Sequence, residues 1–72
     1  MTADQRAKLE ELKASDELVI FAEDVVAVIG GSAQTLRNTA QRDVRQVGFP
    51  ATVVGDKLKI FRKPFLRYIG EM

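Results

Sequence analysis

Residues 53–65 read VVGDKLKIFRKPF, and how this stretch folds back on itself decides the arrangement of the rest of the chain. Gly55-Asp56 is a two-residue tip between short runs of apolar alternation, a strong local signal for a β-hairpin. Such a tip leaves one register: Val54 opposite Lys57, Val53 opposite Leu58, Thr52 opposite Lys59 and Ala51 opposite Ile60. Facing residues share a side of the sheet. Ala51, Val53, Leu58 and Ile60 therefore form an apolar side, and Thr52, Val54, Lys57 and Lys59 form the other. Phe49-Pro50 forces an extended lead-in, because Pro biases the residue before it toward β. Past the hairpin, Pro64 suits the first position of a closing helix. Phe65 and Ile69 would seal that helix onto the core, and Gly70 would end it.

Upstream, SAQTLRNTAQRDVRQVG (32–48) reads as one helix capped by Ser32 and stopped at Gly48. Leu36, Ala40, Val44 and Val47 fall on one stripe. Gln34, Asn38, Gln41, Arg42 and Arg45 fall opposite, with Thr35 and Arg37 flanking them and Asp43 nearer the buried side. AEDVVAVIGGS (22–32) predicts a shorter helix, with Glu23 and Asp24 in the first turn, where negative charge is favoured. Val25, Val28 and Ile29 recur at helical spacing, and Gly30-Gly31 stops the helix. Leu18–Phe21 is β-prone. Thr2 and Gln5 have capping-box spacing for a helix over about residues 3–14. Its apolar face is thin, chiefly Leu9 and Leu12, and reads as loosely packed or partner-facing. Removal of residues 1–14 is therefore expected to spare folding but reduce cooperative binding.

The expected fold is a single α+β domain over residues 1–72: a small winged helix-turn-helix of three to four helices, a two-stranded β-hairpin wing and a short N-terminal strand. At 72 residues there is room for one core, whose margin is only about 3–5 kcal/mol. The chain has no Cys and no His, which excludes disulfides, thiolate or imidazole metal sites and the usual general base. The charged start MTADQRAKLEELK reads as neither a signal nor a transit peptide, and no apolar run is long enough to span a bilayer. A cytoplasmic location is expected.

The net charge of +1 hides an uneven distribution. Residues 1–31 carry three cations against seven anions, and residues 32–72 carry eight cations against three anions. Such a split points the second half toward an anionic partner, or else the two halves neutralise one another on folding. A polar-faced helix beside a cationic hairpin matches the requirements of duplex DNA. A helix fits the major groove, Arg reads guanine, Asn and Gln read adenine, and Lys neutralises phosphates.

EDVVAVIGGSAQTLRNT resembles the opening helix-turn-helix of the excisionase and MerR-like winged-helix superfamily. GFPATVVGDKLKIFRKPFLRYI is similar to that superfamily's wing and closing helix. The likeness covers about residues 20–70 and is nearest to the small DNA-bending excisionases of phages and conjugative transposons. It implies a DNA-facing recognition helix bearing Thr35, Arg37 and Asn38, and a wing bearing Lys57 and Lys59. Phe21 stands where the family commonly has a Ser or Thr cap. About five additional residues lie between Thr35 and Gly48 relative to the shortest members. MerR-type dimerisation and effector segments are missing, so no small-molecule ligand is expected.

The residues thus predict a sequence-specific double-stranded DNA-binding protein without a cofactor. Direct readout falls to Gln34, Thr35, Asn38 and Gln41, and phosphate or guanine contacts to Arg37, Arg42, Arg45, Lys57, Lys59, Arg62 and Lys63. The partners expected besides DNA are a recombinase or further copies of the chain, in an architectural, recombination-directionality or transcriptional role. The rival from another class is a protein-interaction module on the same scaffold, of the phage-packaging or adaptor type; Asp43 and Asp56 lend it weight. An enzyme is not expected. Glu10-Glu11 and Glu23-Asp24 are neighbours that point apart on a helix rather than acid–base pairs. Gly30-Gly31-Ser32 lacks the Gly-Lys-Ser/Thr of a phosphate loop. Phe61 and Phe65 are read as core rather than as stacking platforms, and Tyr68 as a core-edge residue.

Overall fold

A computed structural model of the chain, describing residues 1–71, contains four α-helices, a 3₁₀ turn and a three-stranded antiparallel sheet. Helix α1 (Ala3–Ala14) is followed by β1 (Val19–Phe21), α2 (Ala22–Ile29), α3 (Ala33–Arg42), the 3₁₀ turn Val44–Val47, β2 (Ala51–Val54), β3 (Lys57–Phe61) and α4 (Arg62–Tyr68). The strand order is β1-β3-β2.

The hairpin takes the register its turn dictates, Val54 facing Lys57 through Ala51 facing Ile60. Gly55 has φ +64° while Asp56 has no positive φ, which is the type II′ arrangement with Gly first. The predicted N-terminal strand joins the same sheet: β1 pairs with β3, placing Ile20 against Ile60 and Phe21 against Lys59. Leu58, Ile60 and Ile20 point into the core, where they meet Val25, Val28, Ala40, Phe65 and Leu66.

Helix α1 departs from the expectation of a loose, partner-facing element. The capping box forms, with Gln5 N–H donating to Thr2 Oγ1 at 3.1 Å and Thr2 N–H donating to Gln5 Oε1 at 2.7 Å. Leu9 and Leu12 are both buried in the main core. Two leucines make a narrow stripe, but a chain this short has few residues with which to close its core, and both are used.

The long middle helix is also shorter than its periodicity suggested. It ends at Arg42, and Asp43 (φ −161°, ψ 106°) breaks it. Asp43 Oδ1 then accepts the Arg45 N–H at 3.1 Å, capping the 3₁₀ turn. An Asp side chain competes with the helix for local N–H groups, and here that competition wins. Val44 and Val47 still pack against the core from the 3₁₀ turn. Gly48 turns left-handed (φ +94°) under Tyr68, and a Cβ there would lie 3.3 Å from the Tyr68 hydroxyl oxygen. Phe49 then packs edge-on to Phe65 and Tyr68, with ring centroids 5.1 and 5.4 Å apart.

Helix α4 begins two residues before the expected Pro64, at Arg62. Phe65 and Leu66 are fully buried, and Ile69 packs against them from the helix end. No helix among the described residues is long and apolar enough to cross a membrane.

Candidate nucleic-acid interface

The candidate interface is built from α3 and the β2–β3 turn. Ser32 Oγ accepts the Thr35 N–H at 3.3 Å and fixes the start of α3. Ala40 is buried and Leu36 packs against the core, which turns Gln34, Thr35, Asn38, Gln41 and Arg42 outward, all exposed. Gln41 Nε2 donates to the Gly55 carbonyl oxygen at 3.3 Å. That bond sets the hairpin tip beside the C-terminal end of α3, so the amides of α3 and the turn preceding Lys57 share one side of the molecule. Register puts Lys57, Lys59, Thr52, Val54 and Phe21 together on the outer face of the sheet.

The side chains of α3 are not all free. Arg37 Nη1 donates to Glu23 Oε2 at 2.6 Å, and Arg37 Nη2 donates to Gln34 Oε1 at 3.3 Å. Gln34 Nε2 in turn donates to Asn38 Oδ1 at 2.9 Å. A chain of four polar residues therefore runs from the first turn of α2 along the exposed ridge of α3. Glu23's carboxyl is held below the usual carboxylate range, first by its own backbone N–H and then by the Arg37 guanidinium. Arg45 does not continue this face. The break at Asp43 carries it away, and its Nε and Nη2 donate to the Asp43 carboxylate at 3.0 and 3.1 Å. That carboxyl is held low by these contacts and by the Arg45 N–H.

Arg62 is a correction. It is only 5% exposed; its Nε donates to the Glu17 carbonyl at 2.7 Å and its Nη1 to the Leu12 carbonyl at 3.0 Å. Its backbone N–H donates to the Leu18 carbonyl at 3.0 Å. A guanidinium this buried, with Nε and Nη1 committed to the connector to β1 and the last turn of α1, is out of reach of a phosphate. Lys63 is exposed, yet it lies on α4 at the end of β3 remote from the turn. Five residues of strand separate the two ends, roughly 13–17 Å. Lys63 therefore does not join the α3–hairpin group.

Charge distribution decides whether the two halves of the chain simply neutralise each other. Lys8 pairs with Asp24 at 2.8 Å and with Glu11 at 3.4 Å. Arg6 and Lys13 share Glu10 and Glu71 at 3.7–3.9 Å. These pairs exhaust the cations of the first half. Of the second half's cations, only Arg37 reaches an anion of the first half. Among the described residues, no carboxylate lies within 4.0 Å of Arg42, Lys57, Lys59, Lys63 or Arg67. Mutual neutralisation fails, and the positive charge stays on the surface.

Sequence reasoning missed two features of this face. Glu23 was read only as a helix-terminus charge, although it is Arg37's partner fourteen residues away. Gln41 was read as a base reader, although it also ties α3 to the turn. Neither link has a local pattern; both depend on how α2, α3 and the hairpin pack. No family of known proteins, no curated protein and no solved structure matches this chain.

Proposed function

We propose that the chain is a winged helix-turn-helix protein that binds double-stranded DNA, with α3 in the major groove and the β2–β3 hairpin as a short wing on the phosphates. The order of elements supports this: a helix pair joined at Gly30-Gly31, a hairpin whose sheet is completed by β1, and a closing helix. The observation that carries it is the Gln41–Gly55 hydrogen bond, which brings the turn to the exposed face of α3 while Arg42, Lys57 and Lys59 lack carboxylate partners among the described residues. A helix about 10–12 Å across with its side chains fits a groove about 12 Å wide, and the ten residues of α3 run about 15 Å along it. Thr35 and Asn38 are exposed on α3 and in this reading contact bases, Asn38 through Nδ2, while Gln41 exchanges the Gly55 carbonyl for one. The role is binding rather than catalysis, in the cytoplasm, as an excisionase-like architectural or recombination factor beside a recombinase or further copies, or as a small transcriptional regulator.

Fluorescence anisotropy with a short mixed-sequence duplex tests this. Arg42, Lys57 and Lys59 imply about three neutralised phosphates and a log–log salt slope near −2.7. Affinity should then fall roughly 40-fold between about 50 and 200 mM salt. Arg42→Ala and Lys59→Ala should each remove about 0.9 from the slope while shifting stability by less than about 0.5 kcal/mol. Salt-independent affinity, or two variants that bind like wild type, defeats the reading.

A second reading, a protein-interaction module on the same scaffold, is favoured by one observation. The sheet's outer face also exposes Phe21 and Val54, at 44% and 56%, and apolar groups gain little from phosphate. If this reading holds, Phe21→Ser leaves duplex affinity intact while abolishing capture of a protein partner.

A further inference from the structure

The first turn of α2, the middle of α3 and the hairpin turn enclose a cleft of about 430 Å3, lined among others by Glu23, Arg37, Asp56 and Lys57. Two cations and two anions line it, yet among the described residues only Arg37 and Glu23 are paired, and Lys57 has no carboxylate within 4.0 Å. The pairing is uneven. Arg37 makes the short bond to Glu23, and its side chain is 28% exposed against 67% for the carboxylate that holds it. When the pair opens, the carboxylate returns to water, leaving no buried charge behind. A surface ion pair of this kind is weak enough to be displaced by a well-placed competing anion.

We infer that Glu23 is a specificity-determining latch, holding Arg37 away from DNA until α3 is seated in the groove. The inference rests on the DNA-binding reading and says how its interface discriminates. While the latch is closed, Arg37 occupies Gln34 Oε1, and Gln34 Nε2 occupies Asn38 Oδ1. Opening the ion pair releases the guanidinium, and once Arg37 swings away it also vacates Gln34 Oε1, leaving that amide free to exchange its bond to Asn38 for a base edge. A phosphate or guanine oxygen held in register by the surrounding contacts can replace the carboxylate. A duplex sliding past without register meets only Arg42, Lys57 and Lys59. Specificity built this way comes from a repulsive element directed against the wrong partner.

Four proteins test the latch against one probe, a short mixed-sequence duplex at about 50 mM salt: wild type, Glu23→Gln, Arg37→Ala and the double variant. The exposure of Glu23 makes Glu23→Gln compatible with the fold, and a melt of each protein verifies that. Glu23→Gln should bind roughly three- to tenfold tighter, with a slope steeper by about 0.9, the signature of one additional phosphate contact. In the Arg37→Ala background the same change should gain less than about twofold and leave the slope alone, because the released cation is gone. Equal gains in both backgrounds would mean a general charge effect, and no gain in either would mean that Arg37 is never withheld; both overturn the latch. Failure of all four proteins to bind duplex at low salt overturns the DNA reading itself, and the latch with it.

Discussion

Two cations only three residues apart, Lys59 and Arg62, stand for two poles of the molecule. Around Arg62, where α1, the connector to β1 and the start of α4 meet, the cations of α1 and the buried guanidinium are all engaged: Arg62 by two carbonyls, Arg6, Lys8 and Lys13 by carboxylates. Around Lys59, on the hairpin beside α3, Arg42, Lys57 and the half-buried Lys59 have no carboxylate within 4.0 Å among the described residues. The same residue types therefore do opposite things. At the first pole they cross-link elements far apart in sequence; at the second they hold a surface potential open for an anion. The difference does not come from the residues themselves, since KIFRKPF reads as one basic run. It comes from where each sits, Lys59 on the outer face of β3 and Arg62 buried at the start of α4 within reach of the Leu12 and Glu17 carbonyls.

Removal of residues 1–14 is the hardest test of this division. If the first pole is structural, the shortened chain loses Leu9 and Leu12 from the core and leaves Arg62 without the Leu12 carbonyl. Leucine truncations in a core each cost about 2–5 kcal/mol, and the whole domain holds only about 3–5 kcal/mol in reserve. Loss of a cooperative melt is expected. A truncated chain that melts cooperatively would show the first pole to be dispensable.

Arg62→Met separates the poles more finely, because the thioether keeps most of the buried volume and removes the donors. The Glu17 carbonyl in the connector then loses the Arg62 donor, while the Leu12 carbonyl keeps only the Ser15 N–H at 3.3 Å; a lost buried partner costs about 1–3 kcal/mol. A fall of about 1–3 kcal/mol in urea denaturation is expected. The variant should keep the wild-type salt slope for duplex binding wherever it remains folded. A shallower slope with unchanged stability would restore Arg62 to the interface.

Legibility of the sequence followed the range of the interactions. The hairpin was readable because a Gly-led two-residue tip and a period of two leave a single register, and Ala51–Ile60 is where it predicts. The starts of α1 and α3 were readable because Thr2 and Ser32 cap within three residues. The end of α3 was not: Val44 and Val47 continue the apolar stripe at spacings of four and three, and nothing in that pattern says that Asp43 will cap a new turn. The burial of Arg62 was invisible for a different reason. Its acceptors lie 45 and 50 residues away and are backbone atoms, which no side-chain pattern announces. The interface suffers the same limit, since α3's outward residues were legible but the partners of Arg37 and Gln41 were not.

Glu23 and Asp24 bring the two poles within one residue of each other and allow the finest test. Glu23 belongs to the open face through Arg37. Asp24 belongs to the closed one: its carboxylate accepts from Phe21 N–H at 3.0 Å, starting α2, and meets Lys8 of α1 at 2.8 Å. Burial opposes the charged form of Asp24, but Lys8 and the Phe21 N–H outweigh it and hold the carboxyl below its usual value. Lys8 is raised in turn, chiefly by its bond to Asp24 with burial opposing. A carboxyl lowered in the folded state stabilises it above the unfolded value of 3.8, and that contribution disappears as pH falls through the lower folded value. The raised lysine gives the mirror image, stabilising below 10.5 and losing its contribution as pH rises through the higher folded value. Asp24→Asn should therefore cost about 1 kcal/mol or less near neutrality, narrow the difference from wild type as the medium is acidified below about pH 4, and leave duplex affinity within about twofold. Glu23→Gln should do the reverse, changing affinity and barely moving the melt. A melt that responds equally to both substitutions would mean that α2 does not divide its two acids between a clamp on α1 and a hold on Arg37, and the two-pole description would lose its sharpest boundary.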